Sequence, residues 1–108
     1  MIIVDIDGCV CDSRSATSYE SWQKLYPTFP PNDALIEMLT PNLANIMFVT
    51  GRDETHRRRT MAWFQAHWPL AIEKSMGFRF RNEGDRRPSA EVKEDILREL
   101  SRTGYPMP

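Results

Sequence analysis

The sequence predicts an α/β protein built on a parallel sheet, and three observations carry that expectation. Two short apolar runs, Ile2 to Ile6 and Ile46 to Val49, read as fully buried strands. Each is followed by a polar break containing glycine, at Gly8 and Gly51. Stretches with helical spacing of apolar residues lie between and after them. The resulting order β-α-α-β-α-β-loop-α is the one that right-handed crossovers within a parallel sheet produce.

Taken in order, Ile2 to Ile6 is the first strand, closed by Gly8. Asp12 to Tyr26 carries Tyr19, Trp22 and Tyr26 at three- and four-residue spacings and reads as a helix broken by Pro27, Pro30 and Pro31. Asn32 or Asp33 caps a second helix with Leu35, Ile36 and Leu39 on its inner face, and Pro41 ends it. Ile46 to Val49 is the second strand, closed by Thr50-Gly51. Asp53 to Trp68 is the clearest helix, with Met61, Phe64 and Trp68 on one stripe and Pro69 as its stop. Ala71 to Phe80 reads as a weak third strand and Arg81 to Pro88 as a polar loop. Ser89 caps a last helix, with Val92, Ile96, Leu97 and Leu100 as its buried stripe and Gly104 at its end.

With 108 residues, 41% of them hydrophobic and 27% charged, the chain reads as a single globular domain over residues 1–108. The net charge of −1 gives no global attraction to nucleic acid, so such a contact must come from a local basic cluster. No apolar run approaches a membrane span, and a strand stands at the N-terminus where a signal peptide would be. Cys9 and Cys11 are too close in sequence for an unstrained disulfide and read as reduced thiols of a cytoplasmic protein. His56 and His67 show no metal-ligand spacing. Arg57 to Arg59 read as a solvated helix face, and Trp63 and Trp68 as core.

The chemistry concentrates at the ends of the two strands. Asp5 and Asp7, two residues apart at the end of a buried strand, repel unless a cation or shared proton compensates. Gly8 then lets the chain turn closely past a ligand. In an open α/β sheet, ligands bind beyond the carboxyl ends of the strands, which brings Thr50-Gly51-Arg52 to the same crevice. A Thr hydroxyl, a Gly amide and a following helix start at Asp53 suit an anion, and Lys93 in the last helix adds a compact positive charge. Together these residues point to a site for Mg²⁺ and phosphate.

Asp5-Ile6-Asp7-Gly8, Thr50-Gly51-Arg52 and Lys93, in that order, resemble the first three motifs of the haloacid dehalogenase superfamily. Arg81-Asn82-Glu83-Gly84-Asp85-Arg86-Arg87-Pro88, followed by Ala90-Glu91-Val92-Lys93, is similar to the phosphatase domain of phage-type polynucleotide kinases. The resemblance implies a three-layer α/β sandwich with a Rossmann-like sheet and, since only two short helices fit between Cys9 and Ile46, a minimal cap. It further implies a phosphomonoesterase in which Asp5 is the nucleophile and Asp7 the general acid–base. Mg²⁺ would be held by the Asp5 carboxylate and the Asp7 carbonyl, and phosphate by Thr50, Gly51 and Lys93. Arg52, Arg81 and Arg87 are the candidate substrate-binding residues. The implied partners are a phosphorylated small molecule or a nucleic-acid end.

Two positions depart from the family pattern. Cys9 stands where the family usually has Thr. No Asp or Glu follows Glu99, so the fourth, acidic motif and its strand are missing and the domain reads as truncated after the third motif. The first strand is then expected to be an uncovered edge open to a homodimer. A longer native chain, a partner chain, or Asp12, Glu83 or Asp85 would supply the missing acid. Two further functions follow from this: a non-catalytic phosphate- or nucleotide-binding module that has lost the fourth motif, and, more weakly, a phosphotransferase.

Overall fold

The computed structural model describes residues 1–102. Three parallel strands, β1 (Ile2–Val4), β2 (Ile46–Asp53) and β3 (Gly77–Arg81), pair in the order β1-β2-β3. Five α-helices surround them: α1 (Tyr19–Leu25), α2 (Asp33–Leu39), α3 (Arg57–His67), α4 (Pro69–Lys74) and α5 (Ser89–Arg102). The alternation of β2 side chains separates the two cores. Ile46 and Phe48 join Phe64, Trp63, Trp68, Tyr26 and Ala71 on one face, while Met47 and Val49 meet Val92, Ile96 and Leu100 of α5 on the other. This is the three-layer, Rossmann-like sandwich expected of a haloacid dehalogenase-like chain. The cap is as small as expected, being α1, α2 and the 3₁₀ turns Tyr26–Thr28 and Thr40–Asn45. Among the described residues β1 is an edge strand, and Ile2 on it is exposed.

Several boundaries differ from the sequence expectation. Strand β1 ends at Val4, two residues early, because its pairing with β2 stops at Val4–Phe48. The Asp5 Oδ1 then accepts from the Ile6 amide at 2.9 Å. The Ile6 carbonyl accepts from the amides of Cys9, Val10 and Cys11, which winds the chain into a turn with Gly8 at φ +73°. Residues 12–18 are not helical. Asp12 accepts from the Arg14 amide at 3.0 Å, a local bond that competes with helix, and the true start signal is Ser18, paired with Ser21 in a capping box.

Proline 69 does not stop helical structure but begins α4, where its fixed φ and missing N–H fit the first turn. The segment expected as a strand from Ala71 is therefore helical to Lys74, and β3 begins only at Gly77. A short apolar run such as Ala71-Ile72 does not tell buried helix from buried strand. The expected helix start at Asp53 is also displaced. Strand β2 continues to Asp53, a 3₁₀ turn (Glu54–His56) follows, and α3 begins at Arg57. In α5 the first amides, those of Glu91 and Val92, bond to the Pro88 carbonyl rather than to Ser89. The expected end of that helix at Gly104, and residues 105–108, lie outside the described residues.

Candidate active site

The crevice opens where pairing fails. Beyond Val4–Phe48, β1 leaves β2, and the β2–β3 register is interrupted between Val49 and Asp53. Residues 50–52 therefore form an irregular stretch of β2, beyond its pairing with β1 and at the carboxyl ends of the strands. A cleft of about 850 Å³ lies over them, and its walls include Asp5, Asp7, Gly51, Arg52, Arg81, Arg87 and Lys93. Seven of the expected site residues thus share one cavity. Thr50 is the exception: it lies beneath the wall, fully buried, with its Oγ1 accepting from the Arg52 amide at 3.1 Å.

Asp5 faces the cleft and meets Lys93 across it, Nζ to Oδ1 at 3.0 Å. Both are partly solvated, so the pair is worth about 0–1 kcal/mol to the fold. Asp7 is held more firmly. Arg52 donates from Nη2 to Oδ1 at 2.7 Å and from Nε to Oδ2 at 2.9 Å, a bidentate fork, and Trp22 adds Nε1 to Oδ1 at 3.1 Å. Burial would push this carboxyl up, but the hydrogen bonds and charge of Arg52, helped by Trp22 and Cys11, outweigh it. They hold Asp7 below the ordinary carboxylate range.

Arg52 itself is 5% exposed. Its Nη1 donates to Thr60 Oγ1 at 2.9 Å, and its guanidinium carbon lies 4.9 Å from the Tyr26 ring and 5.3 Å from Trp22. With donors turned to Asp7 and Thr60, Arg52 here holds the Asp7 carboxylate. Arg81 and Arg87 bind their own loop. Arg81 donates to the carbonyls of Asp85 and Arg87 and to Ser89 Oγ. Arg87 is paired with Asp85 and Asp95. Both therefore shape the rim through the loop they hold.

Of the acids considered as replacements for the fourth motif, Asp85 lines the cleft but is tied to Arg87, while Asp12 is paired with Arg14 at 2.6 Å. Glu83 is exposed and outside the cleft wall. Among the described residues no three acidic, His or Cys side chains are grouped to hold a metal. The helix-start anion site expected at Asp53 is filled from within, since the Asp53 carboxylate accepts from the Thr55 amide at 2.9 Å. Cys9 and Cys11 are free thiols; burial and the nearby Asp7 charge push Cys11 up to about 12, which leaves it inert. Arg57 to Arg59 are exposed, and Trp63 and Trp68 are core.

Gly51 has a steric role that spacing did not reveal. A Cβ there would lie 2.5 Å from Ser89 Oγ and 3.0 Å from Ser89 Cβ. The first residue of α5 thus rests directly on the β2 backbone, which sets where Lys93, one turn on, points. Gly51→Ala is expected to destabilise the fold by about 1–3 kcal/mol and to separate Lys93 from Asp5. Chemical denaturation reads the first effect, and its partial rescue in Gly51→Ala/Ser89→Gly identifies the clash as the cause. Trp22, Thr60, Tyr26 and Ser89 are site residues that sequence reasoning missed. The spacing of Tyr19, Trp22 and Tyr26 signalled a helix face but not that the face would meet Asp7 and Arg52.

Comparison with known proteins agrees with this fold. A chain in the Pnkp1/Rnl/Hen1 RNA repair complex superposes with a TM-score of 0.71 at 17% identity, over 91% of this chain and 30% of that one. A chain of a second Pnkp1/Rnl/Hen1 complex gives 0.72 at 16% identity, over 91% and 33%. At such identities the likeness speaks for the fold, and this chain spans about a third of the length of either. No match is found among the curated proteins. Residues 1–107 match the model of the polynucleotide kinase PNKP phosphatase domain. With that match over a cleft built on Asp5, Asp7 and Lys93, the chain belongs to the haloacid dehalogenase-like family of polynucleotide kinase phosphatase domains.

Proposed function

We propose that this domain is a Mg²⁺-dependent phosphomonoesterase that works through an aspartyl-phosphate on Asp5 and acts on polynucleotide 3′-phosphates or nucleotides. The observation that supports it most is the pairing of Asp5 with Lys93 beside an Asp7 bound by Arg52, all in one open cleft. A phosphate entering this cleft takes over Lys93, which frees the Asp5 carboxylate as nucleophile. An Asp5 oxygen attacks phosphorus, the bond from phosphorus to the leaving oxygen breaks, and Asp7 gives that oxygen its proton. Water then attacks the aspartyl-phosphate while Asp7 takes up a proton, and inorganic phosphate leaves. Gly51 offers backbone at the cleft wall, and the Thr50 hydroxyl holds the Arg52 amide behind it.

The donor set suits a cation that shares its ligands with substrate. One carboxylate with substrate oxygens and water is an ordinary Mg²⁺ arrangement, whereas a closed protein cage is not present among the described residues. Asp5 and the Asp7 carbonyl are the groups that would hold it. When bound, the ion supplies charge neutralisation between an anionic nucleophile and an anionic substrate.

The test is release of inorganic phosphate from a 3′-phosphorylated oligonucleotide, a nucleoside monophosphate and an aryl phosphate. Release is expected with Mg²⁺, with loss to background on chelation and recovery when the ion is restored. Absence of release from all three overturns the proposal. A second reading, a phosphate- or nucleotide-binding module without turnover, draws support from the internal pairing of both carboxylates. Saturable binding without phosphate release would favour it.

A further inference from the structure

The cleft carries an aromatic surface that the phosphate chemistry does not use. Tyr26, fully buried, stacks on Trp22 at 4.4 Å between centroids and 10° between planes. Trp22 stacks in turn on Tyr19 at 5.8 Å and 13°. The ladder runs outward from the core, is tied to Asp7 by the Trp22 Nε1 bond, and ends on a Tyr19 that is 66% exposed and lines the cleft. The other large exposed apolar side chains among the described residues, Ile2, Met38 and Leu70, lie outside it. Tyr19 is also fixed in place: it is the first residue of α1, directly after the capping residue Ser18, and Gln23 Nε2 donates to its hydroxyl at 3.3 Å. Helix α1 buries no residue completely: Trp22 and Leu25 rest partly buried against the core, and Tyr19 and Trp22 line the cleft. An open ring held rigidly beside a phosphate site is what a planar base requires, because stacking uses the π-face and costs little ordering.

Charge on the rim favours a chain over a lone nucleotide. Lys93, Arg52 and Arg87 are each paired with a carboxylate, and Arg81 with carbonyls and Ser89. Among the described residues, Arg86 is the cleft cation with no such partner, and it is exposed. It is free for a phosphodiester next to the reacting phosphate.

We propose that Tyr19 is the stacking platform for the terminal base of a 3′-phosphorylated polynucleotide end, with Arg86 neutralising the neighbouring phosphodiester. This rests on the phosphomonoesterase reading above and adds the group that reads the substrate. The experiment compares KM for an oligonucleotide 3′-phosphate ending in a base with one ending in an abasic sugar. Wild type is expected to favour the base-bearing end about fivefold or more, Tyr19→Ala to lose that preference, and Tyr19→Trp to keep it. Equal KM values in wild type, or a preference that survives in Tyr19→Ala, overturn the platform.

Binding of the same two oligonucleotides to Asp5→Asn, read by quenching of tryptophan fluorescence, separates the two claims. Base-dependent quenching without turnover in wild type sinks the phosphatase reading but keeps the platform. Turnover without base dependence does the reverse. Arg86→Ala is expected to flatten the log–log salt dependence of oligonucleotide binding by about 0.7; an unchanged slope overturns the role of Arg86.

Discussion

Asp5→Asn is expected to abolish phosphate release while improving the hold on phosphate. Loss of a nucleophile leaves only positioning and electrostatic effects, so turnover should fall by about four orders of magnitude or more. The fold should tolerate the change. Asn retains the Oδ1 that accepts from the Ile6 amide at 2.9 Å, and the lost ion pair with Lys93 is between partly solvated groups, worth about 0–1 kcal/mol. The same loss releases Lys93 and removes a negative charge from the cleft, so inorganic phosphate should bind more tightly than to wild type. Phosphate release and phosphate titration on one preparation check both halves. Retained turnover would move the nucleophile elsewhere; weakened phosphate binding would mean that Lys93 does not face the anion.

The residues that sequence made legible are those whose chemistry and order carry information by themselves. Asp5, Asp7 and Lys93 sit at strand and helix ends that the apolar runs mark clearly, and all three line one cleft. Arg52 was legible as a cleft residue but not in its task. Its partner Thr60 is an unremarkable position on α3, and only the tertiary structure turns the fork toward Asp7 and away from solvent. The partners of Arg81 and Arg87 in the Arg81–Pro88 loop were hidden in a similar way, because arginines beside acids and carbonyls close in sequence satisfy each other locally. Ala71 to Lys74 failed for a different reason: four residues of apolar and polar character fix no period, and Pro69 serves a helix start as well as a helix end.

The second large effect is expected from Arg52→Met. This removes the bidentate partner of Asp7, the Thr60 bond and the cation beside Tyr26 and Trp22, while keeping much of the apolar stem. Breaking a buried pair leaves an uncompensated charge, here eased because the Asp7 side chain is 28% exposed. A loss of about 2–3 kcal/mol is expected on that basis. Its pH dependence follows from the direction of the Asp7 shift. The folded value lies below the unfolded one, so the pair's contribution is complete above about 3.9 and fades as pH falls through the folded value.

The stability gap between wild type and Arg52→Met should therefore be widest at neutral pH and narrow in acid. Catalysis should move in the complementary sense. Arg52 keeps Asp7 ionised, which suits a base but leaves little of the protonated form that the proposed general acid needs. Without Arg52, burial is opposed only by the weaker bonds from Trp22 and Cys11 and Asp7 rises, so the fall in kcat/KM with rising pH should begin at a higher pH. Denaturation curves at several pH values and a kcat/KM profile measure the two responses. A stability gap that is flat with pH, or a profile that does not move, would show that Arg52 positions the site without setting the charge on Asp7. Thr60→Val separates these contributions. It removes one hydrogen bond of Arg52 and leaves the fork on Asp7, so it should cost about 1 kcal/mol and leave the profile in place.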